Sequence, residues 1–309
     1  MIVATVGYPG AGKSSLVKEY TNKGFERVNR DTVGGSLLDL LPAVAKASND
    51  GKDVVLDNTY PTKLSRKPLI DLAKKLRVDI SCVWLRTSIE DAQVNVCTRM
   101  MQKHGKIIPP EEMRSLADPG VYPPAVLFKY KNEFEEPTVA EGFLSVEKRL
   151  FVRSDSEYKG KALILDYDGT LRETKSGAKY PSDPDDIRIL PNRRERLLEF
   201  KAKGYRLLGA SNQGDIGRGK ITVEQAKDCF ERTNELLGID IEYSFCPHNV
   251  PPVICYCRKP GPALGIQFIE RYKLDKSATC MIGDMTSDET FAKRCGIGFI
   301  HADKFFEIV

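Results

Sequence analysis

A chain of 309 residues, 41% hydrophobic and 29% charged, has ordinary globular composition and is long enough for two cores. No apolar run approaches a membrane span and Met1 leads straight into a strand, so the expectation is no signal peptide, no transmembrane helix and a cytoplasmic place, or a nuclear one in a eukaryote. A net charge of +4 with a pI near 8.5 tolerates a polyanionic partner without demanding one.

The apolar run Ile2 to Val6 reads as a buried strand, and a helical pattern with Leu16, Val17 and Tyr20 follows. Between them, Gly7-Tyr8-Pro9-Gly10-Ala11-Gly12-Lys13-Ser14 fits the phosphate-binding loop G-x-x-x-x-G-K-[ST]. Backbone N–H groups freed by Gly7, Gly10 and Gly12, together with Lys13, Ser14 and Ser15 at a helix N-terminus, suit the polyphosphate of ATP. Lys13 is expected to reach the β- and γ-phosphates and the Ser14 hydroxyl to bind Mg²⁺.

Asn29-Arg30-Asp31 follows a short hydrophobic segment at Phe25 to Val28. A carboxylate one element after the phosphate loop suits a general base for an acceptor hydroxyl; the other reading of Asp31 is a helix N-cap. A helical pattern at Leu37 to Lys46 precedes the strand Val54 to Leu56, which runs into Asp57-Asn58-Thr59. There Asp57 has the position to support Mg²⁺ through Ser14 or to orient the acceptor. Lys63, Ser65, Arg66 and Lys67 open a helical stretch reaching Leu76 and read either as a solvated basic face or as a phosphate-contacting edge that includes Arg66. Trp84, in the apolar strand Ile80 to Leu85, reads as core rather than as a platform for a base. After a long helical pattern, Ile89 to Lys103, Pro109-Pro110 and Pro123-Pro124 punctuate a region that reads as a lid, with Arg99, Lys103 and Lys106 as its cations.

The polar stretch from Val152 to Lys161 reads as a linker between a first domain over 1–153 and a second over 154–309. A new strand at Ala162 to Leu165 ends in Asp166-Tyr167-Asp168-Gly169-Thr170. The first carboxylate can attack phosphorus to form an aspartyl-phosphate, and the second can protonate the leaving oxygen and then activate water. Later strands are expected at Arg206 to Ala210, Tyr243 to Phe245, Thr279 to Ile282 and Gly298 to Ile300. The first of these ends at Ser211-Asn212-Gln213, whose polar groups suit phosphoryl oxygens. Arg258 and Lys259 supply positive charge, and Asp284 and Asp288 join Asp166 and Asp168 as oxygen ligands for Mg²⁺.

Eight cysteines complete the count. Cys82, Cys97, Cys280 and Cys295 lie scattered in apolar surroundings and read as reduced thiols. Cys246, His248, Cys255 and Cys257 supply an S₃N set within twelve residues, which suits structural, tetrahedral Zn²⁺ bracing the loop of Arg258 and Lys259; the alternative is three free thiols and a surface histidine. The alternation of strand and helix signals in both halves makes the fold class α/β: a P-loop NTPase-type parallel sheet followed by a second Rossmann-like domain with a zinc loop.

The motifs of the first half, with Ser65-Arg66 and Phe134 to Phe143, resemble the kinase module of polynucleotide kinase-phosphatases, the animal strand-break repair type above all. The resemblance implies transfer of the ATP γ-phosphate to a 5′-hydroxyl of DNA or RNA, with Asp31 in the base position. It departs at Asn95-Val96-Cys97-Thr98-Arg99, an arginine-rich stretch in the animal enzymes, where Arg99 alone retains a basic partner. The four pieces of the second half stand in the order of the haloacid dehalogenase superfamily of phosphatases, and the Cys/His set resembles that of its heptose-bisphosphate and histidinol-phosphate phosphatases. Kinase before phosphatase is the order of the bacteriophage end-healing enzymes. Such a pair implies that a 5′-phosphate is added and a 3′-phosphate removed at broken nucleic acid ends, for a ligase to seal. The rival expectations are a sugar or nucleoside kinase joined to a zinc-loop sugar phosphatase, and a nucleotide-sensing scaffold with idle sites.

Overall fold

The computed structural model describes residues 1–153, 157–252 and 254–307. The chain divides into two compact units, Met1–Val96 with Ala117–Ser154 and Cys97–Leu116 with Asp155–Val309. The expected linker over 152–161 includes 154–156, and the expected boundary falls beside them, outside the described residues.

The first unit is built on β1 (Ile2–Val6), β2 (Glu26–Val28), β3 (Val54–Asp57), β4 (Ile80–Arg86) and β5 (Val146–Leu150), all parallel in the order β2-β3-β1-β4-β5. Every residue of β1 is buried, because helices cover both faces of a parallel sheet; this is why its sequence is a continuous apolar run rather than an alternation. Val3, Val55 and Val83 face the helix Lys13–Thr21 through Leu16 and Val17. Ala4, Leu56 and Cys82 face the other way, toward Leu69 and Ile70 of the helix Lys63–Leu76. β5, reading Val-Glu-Lys-Arg-Leu, carries no apolar run and escapes detection from sequence: it is an edge strand, where charged residues are tolerated and blunt the open edge.

The region read as a lid is divided. Residues 97–116, which hold Arg99, Lys103, Lys106 and the short helix Pro110–Met113, belong to the second compact unit, whereas the helix Pro124–Glu133 belongs to the first.

The second unit continues with β6 (Gly160–Leu165), β7 (Arg172–Thr174), β8 (Ile187–Ile189), β9 (Arg206–Asn212), β10 (Glu242–Cys246), β11 (Leu274–Gly283) and β12 (Gly298–His301). Five of these form a parallel sheet in the order β10-β9-β6-β11-β12, and β7 and β8 form a separate antiparallel hairpin. Leu165 is level with Ile282 on one side and Gly209 on the other. The residues that follow, Asp166, Ser211 and Asp284, are thus delivered to one edge of the sheet, where the carboxyl ends of parallel strands form a crevice. The three-residue strands of the hairpin give too little periodicity to be read from sequence.

No helix among the described residues is long and apolar enough to cross a membrane.

Candidate active sites

In the first unit the loop between β1 and the helix Lys13–Thr21 is closed on itself. Gly12 caps the helix at φ +94°, a left-handed conformation that glycine adopts without a Cβ penalty. Lys13, buried, donates to the carbonyl oxygens of Gly7 at 2.9 Å and Tyr8 at 2.6 Å. The same ammonium that suits a phosphate is held over the loop by two of the loop's own carbonyls. Ser14 Oγ donates to Asp57 Oδ2 at 3.2 Å, and Arg27 Nη2 reaches the same oxygen at 2.6 Å. Asp57 is therefore joined to the phosphate loop through Ser14, and Ser15 is exposed on the next helical position.

The cap of the short helix Arg30–Val33 is Asn29, whose Oδ1 accepts from Thr32 N at 3.0 Å. Asp31 is thereby relieved of the capping role, and it and Arg30 are exposed. Asn58 Oδ1 accepts from Arg30 N at 3.2 Å. Asp57 and Asn58, consecutive at the end of β3, thus tie the phosphate loop to the turn that carries Asp31.

Arg66 is not a phosphate-contacting side chain. It is 1% exposed, forms a two-pronged pair with Glu141 at 2.7 and 2.9 Å, and donates Nη1 to Tyr60 O at 3.1 Å. All three nitrogens are consumed internally, so the substrate-binding expectation for Arg66 is overturned. Two contacts had no signal in sequence: Asn95 Nδ2 donates to Gly10 O at 2.8 Å, and Arg153 Nη1 donates to Asn95 Oδ1 at 2.5 Å. Trp84 departs from its expected core position. It is only partly buried, packing against Phe134 and the core while also lining an open groove.

In the second unit a cavity of about 370 Å³ gathers Asp166, Asp168, Ser211, Asn212, Arg258, Lys259, Asp284 and Asp288. Lys259 Nζ lies 2.7 Å from Asp166 Oδ1 and 2.7 Å from Asp288 Oδ1, all three groups nearly sealed from water. Burial pushes the Asp166 carboxyl up to about 7, against the pull of Lys259, with Asp288 and Asp168 adding to the rise. Burial works against the charge on Lys259, but Asp166 and Asp288 together outweigh it and hold the ammonium above its ordinary value. Gly169, at φ +84°, makes the turn after the carboxylate pair, and a Cβ there would come within 2.5 Å of Asp284 Oδ2.

The Asp168 carboxylate lines the same cavity but falls outside the cluster of the other three. Its Oδ1 accepts from Arg172 Nε at 2.8 Å and its Oδ2 from Gln213 Nε2 at 3.1 Å. Ligand atoms of Asp166, Asp284 and Asp288 lie within 4.8 Å of one another, which fits a hard cation such as Mg²⁺. The expected place of the Asp168 side chain in that set is corrected: its carboxylate is spoken for by Arg172 and Gln213.

Asn212 exchanges both amide groups with the backbone of Lys259, Lys259 N donating to Oδ1 at 2.8 Å and Nδ2 donating to Lys259 O at 3.0 Å. It holds the lysine loop, lines the cavity and keeps its second Nδ2 hydrogen beyond these two bonds. Ser211 Oγ accepts from Gln213 Nε2 at 2.9 Å, leaving its own proton to be donated into the cavity. Lys179, Tyr180 and Arg218 also line the cavity.

Below this cavity, Cys246 Sγ is 3.7 Å from Cys255 Sγ and 3.4 Å from His248 Nδ1, and Cys257 Sγ is 3.2 Å from His248 Nδ1. A tetrahedral zinc with bonds of ~2.3 Å to sulfur and ~2.0 Å to nitrogen has edges of about 3.8 Å between sulfurs and about 3.5 Å between sulfur and nitrogen. The four side chains fit that ion. Arg258, the residue after Cys257, donates Nη1 to His248 O at 3.2 Å, so the cluster and the cationic loop are physically joined.

Residues 161–306, which hold this cavity and this cluster, match the family model described as Polynucleotide kinase 3 phosphatase. This second unit thus carries a polynucleotide kinase 3 phosphatase domain. Residues 2–113 match a second model, described as AAA domain. The chain joins a kinase-like nucleotide-binding unit to a haloacid dehalogenase-like phosphatase unit. It is 35% identical over 148 residues to the Bifunctional polynucleotide phosphatase/kinase of Schizosaccharomyces pombe, a match covering 48% of this chain and 33% of that protein. The chain thus spans about a third of that relative's length. It is 34% identical over 144 residues to the Probable D-glycero-D-manno-heptose-1,7-bisphosphate 7-phosphatase of Thermoplasma volcanium, covering 45% of this chain and 96% of that protein. Among solved structures it is similar to a chain of the Pnkp1/Rnl/Hen1 complex, with 16% identity, a TM-score of 0.34, and coverage of 97% of this chain and 95% of that one.

Proposed function

We propose that this protein is a bifunctional end-healing enzyme, phosphorylating 5′-hydroxyl ends of DNA or RNA with ATP and removing 3′-phosphates. The observation that carries the reading is one chain with two separate sites suited to phosphoryl groups, the Lys13 loop and the Asp166–Lys259 cavity, the second inside the residues that match the polynucleotide kinase 3 phosphatase model. Two activities on one hydroxyl would only hydrolyse ATP; on the two ends of one break they cooperate. The products, a 5′-phosphate and a 3′-hydroxyl, are what a ligase needs, so the partner class is a ligase. The reading places the protein in the cytoplasm or nucleus.

In the kinase site, Lys13 exchanges the Gly7 and Tyr8 carbonyls for the β- and γ-phosphates, and Asp31 takes the proton of the attacking hydroxyl. Ser14 and Asp57 would hold Mg²⁺, which supplies positive charge against the phosphates. In the phosphatase site an oxygen of Asp166 attacks phosphorus while the bond to the leaving oxygen breaks, and Asp168 gives that oxygen a proton. Asp168 then takes a proton from water as it attacks the aspartyl-phosphate. Ser211 and Arg258 bind phosphoryl oxygens, and Lys259 favours the ionised form of Asp166 against burial. Asp166, Asp284 and Asp288 would hold Mg²⁺, which adds charge stabilisation. The S₃N cluster would hold structural Zn²⁺ and brace the loop of Arg258 and Lys259.

The Thermoplasma volcanium relative supports a second reading, a sugar phosphatase joined to a small-molecule kinase. One assay separates them: oligonucleotides with 5′-hydroxyl or 3′-phosphate ends, as DNA and as RNA, against a panel of sugar phosphates and nucleosides. End-healing requires turnover of the oligonucleotides; turnover of small molecules alone overturns it.

A further inference from the structure

Arg172 opens β7, and a charged residue at the start of so short a strand would ordinarily reach water. Here it is 1% exposed. Its guanidinium lies against two aromatic rings, 5.2 Å from that of Tyr167 and 5.0 Å from that of Phe230. Burying such a charge is costly unless it is paired and its N–H groups are used. Nη1 donates to the Cys229 carbonyl at 2.5 Å and to Thr233 Oγ1 at 2.8 Å, both within the helix Val223–Leu237. Nε donates to Asp168 Oδ1 at 2.8 Å, and among the described residues Asp168 is the carboxylate that balances the charge.

The main chain at Arg172 closes the same loop. Its N–H donates to Tyr167 O at 3.0 Å, and its carbonyl accepts from Gly169 N at 2.9 Å. The turn that carries Asp168 is thus tied across its ends, while the Asp168 side chain is tied to a helix. The guanidinium is planar and its donors stand in a fixed fork, so anchoring Nη1 also sets where Nε points. The helix Val223–Leu237 thereby sets the direction of the Asp168 carboxylate.

That direction matters because Asp166 and Asp168 line one cavity, where Lys259 and a cation among Asp166, Asp284 and Asp288 would attract both. The structure gives each carboxylate its own buried partner, Lys259 at 2.7 Å for Asp166 and Arg172 at 2.8 Å for Asp168. Asp168 stays outside the cluster and keeps acceptor capacity on both oxygens.

We propose that Arg172 is a positioning residue of the phosphatase site: anchored on the helix Val223–Leu237, it aims the Asp168 carboxylate at the leaving oxygen and keeps it from joining the cation cluster. The proposal rests on the phosphatase half of the reading above and adds to it a residue outside the motifs.

The full chain is assayed on a 3′-phosphorylated oligonucleotide, an alkyl phosphate, and on p-nitrophenyl phosphate, whose leaving group needs no proton. Arg172→Met is expected to lower kcat on the oligonucleotide about tenfold or more with KM nearly unchanged, and to leave the first burst of nitrophenol at close to the rate of the unsubstituted chain. Arg172→Lys is expected to recover only part of the loss, since an ammonium cannot bridge Asp168 and the helix. On the Asp168→Asn background, Arg172→Met is expected to cost nothing further. Thr233→Val removes one anchor and leaves the guanidinium; a loss of about threefold with the same dependence on leaving group is expected, and this variant carries the test should Arg172→Met not fold. Equal losses on both substrates, or losses that add on the Asp168→Asn background, overturn the positioning role and leave the phosphatase reading standing. An unsubstituted chain that hydrolyses neither substrate removes both.

Discussion

Arg66 and Glu141, 75 residues apart, face each other as a two-pronged ion pair, Nε to Oε2 at 2.7 Å and Nη2 to Oε1 at 2.9 Å, with 1% and 9% of their side chains exposed. Glu141 Oε1 also accepts from Thr138 N at 3.0 Å, and Arg66 reaches Tyr60 O, so the pair pins two loops to the helix Lys63–Leu76. Removing one member leaves the other buried and uncompensated. Arg66→Ala is expected to destabilise the first unit by about 3–5 kcal/mol, and Arg66→Met with Glu141→Leu to recover much of the loss. Urea unfolding measures both; an Arg66→Ala protein of unchanged stability but raised KM for phosphorylated ligands contradicts the structural role.

Separation of the two sites predicts separable losses. Lys13→Ala is expected to lower kinase turnover at least about a hundredfold without touching the phosphatase, and Asp166→Asn to lower phosphatase turnover about a thousandfold or more without touching the kinase. Each variant is assayed for both activities. A single substitution that abolished both would mean one site.

Asn58 joins the end of β3 to the turn bearing Asp31 through Arg30 N. Asn58→Ala leaves that backbone donor without its partner and lets the turn drift. A displacement of about 1 Å is enough to lose up to a hundredfold in turnover. The expected signature is a fall in kinase kcat with little change in KM for ATP, since Lys13 and Ser14 are untouched. A rise in the KM for ATP alone contradicts it.

Asp168 is fixed at both oxygens by Arg172 and Gln213. If it serves the leaving oxygen, Asp168→Asn should cost about a hundredfold or more on an alkyl phosphate and much less in the first step on p-nitrophenyl phosphate, whose leaving group needs no proton. Because the same residue activates water, a stoichiometric burst of nitrophenol followed by slow turnover is expected. Equal losses on both substrates, with no burst, exclude the acid–base role.

Occupancy of the Cys246, His248, Cys255 and Cys257 cluster is testable by metal analysis. About one zinc per chain is expected, and Cys255→Ser should lose it together with the phosphatase, as Arg258 and Lys259 are released, while the kinase persists. A zinc-free protein with full phosphatase activity rules out the structural ion.

The chemistry-bearing pieces were legible because each is local. A phosphate loop is eight consecutive residues between a strand and a helix, and the Asp166-x-Asp168 pair and the S₃N set lie within short windows that backbone geometry alone brings together. The parallel sheets were legible for the same reason: strands covered on both faces must be runs of apolar residues, and those runs stand out. β5 and the β7–β8 hairpin were not, since an edge strand and three-residue strands owe their form to their neighbours.

What tertiary structure alone decided was which partner each polar side chain took. Arg66 bears the right group for phosphate, but burial obliges such a group to find a hydrogen bond, and the nearest acceptor was Glu141; Asn212, at the cavity, gave part of its amide to the Lys259 backbone. Trp84 reads as core in its strand, yet whether the far face of a ring is covered depends on what packs there, and no spacing along the chain encodes an open groove. Sequence names the reactive groups because chemistry is a property of residues; contact across 45 to 75 positions assigns their partners because hydrogen bonds and burial act through space.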